Sequence, residues 1–242
     1  MNDTIASVDK SGDRVRKMFA EIAPRYDRMN HLLSLNIDRR WRDKAAGSLA
    51  LDRSEPILDV CTGTGDLAIT LAERLSGKAE VIGTDFCNEM LELARQKQHQ
   101  LQIDSSRLKF IEADTQQLPI ESESCQSVTV AFGIRNVMDT DRGIVEMMRV
   151  LRRGGQLLIL EFSKPTVPVL KQLYSGYFKY VLPTLGQKLA KNNESAYSYL
   201  PASVREFPSG LEMVEKLRSL GLSKVEWKPL TFGVASIYMG VK

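Results

Sequence analysis

The segment Ile57-Leu58-Asp59-Val60-Cys61-Thr62-Gly63-Thr64-Gly65-Asp66-Leu67-Ala68 reads as a buried strand, a glycine turn and the start of a helix. The aliphatic run Ile57–Cys61 is too short for a helix, two glycines follow it, and from Asp66 the apolar spacing becomes helical. The same alternation repeats outward. Runs at Glu80–Thr84, Leu108–Glu112, Ser127–Phe132 and Gln156–Glu161 predict four more strands. Helical patterns lie between them at Asp66–Leu75, Asn88–Gln100 and Thr140–Leu151, the last ended by Gly154-Gly155. Short apolar strands joined by amphipathic helices predict an α/β fold: a mostly parallel sheet, helices on both faces, ligands at the strands' carboxyl ends. Near the end, a helix at Ser209–Leu220 precedes strands at Val225–Lys228 and Val234–Val241. Their Pro229–Gly233 link is too short for a parallel crossover, so this pair is antiparallel.

Upstream, Val15, Met18, Phe19 and Ile22 form an apolar stripe at helical spacing, with Asp13 as N-cap and an end near Pro24. Residues 1–12 are polar and lack the apolar core of a secretory signal, which predicts a flexible N-terminal arm on a cytoplasmic chain. The rest, 13–242, reads as a single domain with an N-terminal helical lid at 13–50 and a helical insertion at 165–207 that the sheet does not require. In the insertion, Leu170, Leu173, Tyr174, Tyr177, Phe178, Val181 and Leu182 form one aromatic-rich face, stopped by Pro183.

A charged fraction of 26% against 43% hydrophobic is ordinary for a globular chain, and a net charge of +3 is too small for a nucleic-acid binder. Cys61, Cys87 and Cys125 are scattered and odd in number, so they predict neither a disulfide frame nor a metal site, and read as small buried hydrophobes. No run approaches the roughly 20 apolar residues of a membrane span, so any membrane contact is peripheral.

The turn Gly63-x-Gly65-x-x-Ala68 fits a loose dinucleotide fingerprint, which keeps an NAD(P)-binding oxidoreductase open as a reading. Charge argues against it. A pyrophosphate needs bare amides and a positive field, yet Asp59 and Asp66 flank this turn. S-adenosylmethionine (SAM) carries an ammonium and a sulfonium and no phosphate, so acidic neighbours attract it. On that reading Gly63 and Gly65 let the backbone approach the methionine part, and Thr64 adds a hydroxyl. Asp85 ends the second strand where a carboxylate accepts from both ribose hydroxyls. Asp114 and Thr115 follow the third strand, in reach of an adenine amino group.

With those residues placed, the sequence resembles class I SAM methyltransferases and, more narrowly, the UbiE/MenG family of quinone-biosynthesis C-methyltransferases. The segments that carry the resemblance are Phe19–Asn30, Asp59–Asp66, Ala131-Phe132-Gly133-Ile134-Arg135-Asn136-Val137 and Leu160-Glu161-Phe162-Ser163-Lys164-Pro165, with Tyr199-Leu200-Pro201 and Thr231–Ala235 in the tail. Two departures are Cys87-Asn88-Glu89-Met90 after Asp85 and Ala131, where some members have serine beside the cofactor. The resemblance implies a Rossmann-like sheet of seven strands with an antiparallel last strand, SAM as cofactor held in part at Ala131, and a prenylated quinol as acceptor, demethylmenaquinol first and a benzoquinol precursor of ubiquinone as the other choice.

Methylating a quinol carbon requires a base and a group that stabilises the developing phenolate. Arg135 is expected to stabilise the phenolate, Asn136 to orient the ring or a water, and Tyr26, with Asp27, to belong to the lid; His31, or a water held by Arg135 or Asp66, is the candidate base. Nine Lys or Arg between Asp13 and Lys44, against five acids, suit an anionic membrane surface. The 170–182 stripe suits a membrane contact or tail groove, core packing, or a homodimer contact. A non-catalytic scaffold for quinone synthesis is the remaining alternative.

Overall fold

The computed structural model describes residues 9–34, 36–51, 53–75, 77–165 and 194–242. The N-terminal part is helical: α1 (Gly12–Ile22), a 3-10 turn (Ala23–Arg25), α2 (Tyr26–Leu33) and α3 (Ile37–Ala46). Then come β1 (Ile57–Val60), α4 (Asp66–Leu75), β2 (Val81–Asp85), α5 (Asn88–Gln100), β3 (Leu108–Glu112), β4 (Cys125–Ala131), a 3-10 turn (Ile134–Asn136), α6 (Thr140–Val150) and β5 (Leu151–Phe162). The last described elements are α7 (Glu194–Glu206), α8 (Leu211–Ser219), β6 (Ser223–Leu230) and β7 (Ala235–Val241).

The seven strands form one sheet in the order β3-β2-β1-β4-β5-β7-β6. All neighbours are parallel except β7, which runs antiparallel to both β5 and β6. Period-two alternation sends β5 side chains into two cores. Leu158 and Leu160 pack with Trp41, Leu67, Leu71 and Leu91 under α3, α4 and α5. Leu157 and Ile159 pack with Ile144, Met147, Met213 and Leu217 under α6 and α8. Strand order reverses between β1 and β4, which opens a crevice at their carboxyl ends.

Three local expectations change. Asp13 is not the N-cap of α1: Ser11 holds that position without a side-chain bond, and Asp13 sits in the first turn, where its charge meets the helix dipole. The pair Gly154-Gly155 does not stop α6, which ends at Val150 where β5 begins at Leu151. Gly154 has φ +73° and a Cβ on Gly155 would lie 2.9 Å from the carbonyl oxygens of Arg152 and Gln126, so the glycines bend β5 into register. Lys10 is partly buried and Gly12 opens α1, so order begins before residue 13.

The rest of the expected arm, residues 1–8, lies outside the described residues, as does the 170–182 stripe. Cys87 and Cys125 are buried as small apolar groups, and burial pushes the Cys87 thiol up to about 12. No helix among the described residues is long and apolar enough to cross a membrane.

Candidate active site

The glycine turn leaves β1 through left-handed backbone at Cys61 (φ +50°), Gly63 (φ +56°) and Gly65 (φ +82°). The two glycines serve different ends. A Cβ on Gly63 would meet nothing within 4 Å, and its N–H donates to Asp85 Oδ2 at 2.8 Å. A Cβ on Gly65 would lie 2.9 Å from Phe110 Cζ, so this glycine makes room for a ring of β3. Gly65 is not among the residues lining the cleft, contrary to the expected approach to cofactor.

A cleft at this end of the sheet is lined by the predicted Asp59, Gly63, Thr64, Asp85, Asp114, Thr115, Ala131, Asn136 and Tyr26. Among the described residues its charged lining is four carboxylates, Asp59, Asp66, Asp85 and Asp114, against two cations, Lys10 and Arg42. Asp85 also accepts from the Cys87 N–H at 2.9 Å, through Oδ1. Asp59 accepts from Thr129 at 2.6 Å and from Thr62 at 2.6 Å. Burial raises both carboxyls to about 6, against their hydrogen bonds. Each therefore gains from a cation or hydroxyl arriving beside it. Asp114 is exposed and accepts from the Gln116 N–H at 2.8 Å, a turn contact and not the start of a helix. Thr115 is buried, its hydroxyl 3.3 Å from Cys61 Sγ. Acidic lining, an open Gly63 and a strand-end carboxylate with lone pairs to spare fit SAM and repel a pyrophosphate.

Arg135 is placed differently from Asn136. It does not line the cleft; it is 5% exposed and ion-paired to the fully buried Glu161, Nη1 to Oε1 at 2.7 Å. The same nitrogen donates to the Phe132 carbonyl, and the guanidinium lies 5.4 Å over the Phe162 ring. Phe132 and Phe162 pack as a tilted pair with centroids 4.6 Å apart, and the Arg42 guanidinium lies 5.4 Å over the Phe132 ring. Phe132 has φ +58°, a left-handed conformation costing roughly 1–2 kcal/mol, held by this packing.

The N-terminal helices clasp the turn through charge. Thr64 donates to Asp27 of α2 at 2.6 Å, and Lys97 of α5 bridges Asp27 and Asp66, both at 2.6 Å. Arg42 of α3 pairs with Asp38 and lies 3.6 Å from Asp66, while His31 Nδ1 is 3.0 Å from Asp38. His31 is not in the cleft lining, so the structure does not bring this candidate base to the site. His31, Asp38 and Asp66 converge within 4.8 Å, but Arg42 and Lys97 already neutralise them as ion pairs. Lys10, Phe19, Arg42 and Lys97 carry no site signal in the sequence, because each reaches the site only through tertiary contact. Glu161 had one signal, a charged residue ending an otherwise aliphatic strand.

Comparison with known proteins follows the same lines. A sequence model of the ubiE/COQ5 methyltransferase family matches residues 7–242. The chain is 44% identical to the ubiquinone/menaquinone biosynthesis C-methyltransferase UbiE of Geobacter sp. strain M21, over 98% of this chain and 99% of that protein. It is 43% identical to the demethylmenaquinone methyltransferase of Bacteroides fragilis, over 96% and 94%. Among solved structures, a SAM-dependent methyltransferase from Thermotoga maritima, described as a possible histamine N-methyltransferase, superposes with a TM-score of 0.65 at 17% identity, over 94% and 99% of the two chains.

Proposed function

Because the chain belongs to the ubiE/COQ5 methyltransferase family, we propose that its cleft holds SAM across the ends of β1 and β2 and admits a prenylated quinol, demethylmenaquinol first, beneath the N-terminal helices. The enzyme is a SAM-dependent C-methyltransferase of quinone biosynthesis. The observation that carries this reading is identity of 43–44% over nearly the whole chain with proteins named for that reaction. Neither an NAD(P) oxidoreductase nor a scaffold is favoured, and the acidic lining opposes the first.

In this reading Asp85 accepts from the ribose hydroxyls, Asp59 and Thr64 set the field around the methionine part, and Gly63 leaves room for it. Asp114 and Thr115 face the adenine and Ala131 packs beside it. SAM supplies an electrophilic methyl group. The chain excludes water with α1 to α3 as a lid, orients the ring with Tyr26 and Asn136, and stabilises negative charge on the ring oxygen with Arg135. Anaerobic assay of the pure protein with SAM and short-chain naphthoquinol or benzoquinol tests the reaction, and the quinones extracted from cells lacking the gene identify the acceptor. Turnover of neither quinol would overturn the reading.

Peripheral contact with an anionic membrane belongs to the same proposal, since the prenyl tail costs roughly 0.8 kcal/mol per methylene to draw into water. Arg42 cannot serve it, being buried in ion pairs, whereas Arg39 and Arg40 are exposed. Arg39→Glu with Arg40→Glu is expected to weaken flotation with anionic liposomes, at about 1 kcal/mol per charge near the surface. Flotation unchanged by both substitutions would remove these arginines from the contact.

A further inference from the structure

Lys97 lies on α5 and does not line the cleft, yet its ammonium points at groups that do. Nζ is 2.6 Å from Asp27 Oδ2, 2.6 Å from Asp66 Oδ1 and 2.9 Å from Thr64 Oγ1. An ammonium has three N–H bonds, so every donor of Lys97 has an acceptor. The Thr64 hydroxyl in turn donates to Asp27 Oδ1 at 2.6 Å, which holds that carboxylate by both oxygens. Asp27 belongs to α2, Thr64 to the glycine turn and Asp66 to the first turn of α4, so one side chain joins three parts of the fold. Packing sets Lys97 in place. Met90 and Ala94, earlier on the same face of α5, are buried, and a Cβ on Gly65 would lie 3.1 Å from Ala94 Cβ.

Thr64 and Asp66 line the cleft from the turn, and Tyr26, the residue before Asp27, lines it from α2. The bridge therefore fixes the separation of two walls of the cleft. We infer that Lys97 is a positioning residue for methyl transfer: it holds α2, and with it Tyr26, against the turn, and so sets the distance between the acceptor ring and the methyl group. The inference rests on the reading that the turn holds SAM and that the quinol enters beneath the N-terminal helices. Transfer needs the reacting atoms about 3–3.5 Å apart and in line, and a misplacement of about 1 Å caused by a remote residue lowers the rate roughly a hundredfold. Lys97 acts through Asp27 and Tyr26.

Charge explains why the bridge is a lysine. Asp27 and Asp66 face the same ammonium, and a neutral side chain at 97 would leave two carboxylates opposed across the rim, pushing α2 away from the turn. Arg42 approaches Asp66 from its other oxygen, Oδ2 at 3.6 Å, and pairs with Asp38, so it supports the α3 side of the same rim. The side chains of Lys97, Asp27 and Asp66 keep 24–26% of their surface exposed, so the bridge adds modestly to stability and its loss falls on placement.

The test uses the full-length protein, SAM and a short-chain demethylmenaquinol kept reduced. Lys97→Met is expected to keep SAM affinity within threefold by calorimetry while single-turnover transfer, with both ligands saturating, falls about thirtyfold. Lys97→Arg keeps the charge with a different donor geometry and is expected to recover part of that rate. Asp27→Asn breaks the same bridge from the α2 side, and the double variant is expected to lose no more than threefold beyond the worse single one. Transfer by Lys97→Met within threefold of wild type would overturn the assignment. So would SAM affinity falling by the same factor as the rate, or losses that multiply in the double variant. Should Lys97→Met fail to fold, Asp27→Asn decides by the same two measurements. Hydrogen exchange of the α2 amides in the complex with S-adenosylhomocysteine needs no acceptor: it is expected to be at least about tenfold faster in Lys97→Met, and unchanged exchange would also overturn the assignment. Failure of wild-type protein to methylate any prenylated quinol would instead sink the proposed reaction.

Discussion

At the ends of β1 and β2 each carboxylate oxygen of Asp59 and Asp85 has a donor, from Thr62, Thr129, Gly63 or Cys87, whereas around Arg135 and Glu161 four polar atoms have none. The first end is finished by the chain itself, through threonine hydroxyls at Asp59 and backbone N–H groups at Asp85. The second is left open by the described residues. Each buried unpartnered group costs roughly 1–3 kcal/mol, so the neighbourhood of Arg135 and Glu161 carries a standing penalty that a partner with matching donors and acceptors would relieve. The ends of β1 and β2 work the other way: their carboxyls are satisfied in hydrogen bonds but pushed up by burial, and a cation beside them would favour their ionised form.

The contrast breaks most visibly at Arg135. Arg135→Ala leaves Glu161 charged and alone in the interior, and urea denaturation is expected to show a loss of about 3–5 kcal/mol. Replacing both partners by apolar residues, Arg135→Met with Glu161→Leu, is expected to recover most of that stability and keep SAM binding while abolishing transfer. An unchanged urea midpoint for Arg135→Ala would mean that the pair is not the buried unit the distances describe.

A smaller effect sharpens the other end. Asp85→Ala removes the carboxylate at the end of β2, and calorimetry is expected to show SAM affinity reduced at least about tenfold, which is about 1.4 kcal/mol. Unchanged affinity in a folded variant would displace the ribose from this position.

The smallest effect is one of pH. Asp59 and Asp85 both have folded values of about 6, above the unfolded carboxylate value of about 3.9, so each native group holds its proton longer than the unfolded chain does. Stability of the ligand-free protein therefore falls as pH rises through roughly 4 to 6. SAM binding runs opposite, because its cations prefer both carboxyls ionised: affinity is expected to drop about fourfold from pH 7.5 to 6. Affinity independent of pH over that range would show that these two carboxyls do not sense the ligand's charge.

Sequence pattern made the sheet legible because strands of this kind are short aliphatic runs whose burial depends on few partners. Leu108–Glu112 and Asn88–Gln100 fall where periodicity puts them, and the antiparallel end follows from the length of one link. The acids at the strand ends were legible for the same reason: topology alone carries Asp59, Asp85 and Asp114 to one crevice. The clasp was not. Lys97 lies in a polar stretch of α5, and nothing local separates it from solvated lysines, yet folding sets it between Asp27 and Asp66. Arg42 reads as one cation in a basic region until Asp38, four residues before it, and Asp66, across the fold, are seen to bury it. Gly154-Gly155 misled because a glycine pair after a helical run looks the same whether it ends a helix or bends a strand.

The ring of Phe110 occupies space that side chains at two glycines would need, 2.9 Å from a Cβ on Gly65 and 2.6 Å from one on Gly83. The three positions are therefore coupled: an alanine at 83 requires the ring at 110 to move or shrink, and an aromatic at 110 requires both glycines. The second glycine of the fingerprint thus serves the packing between β2, β3 and the turn, a requirement of the fold that is independent of which nucleotide is bound.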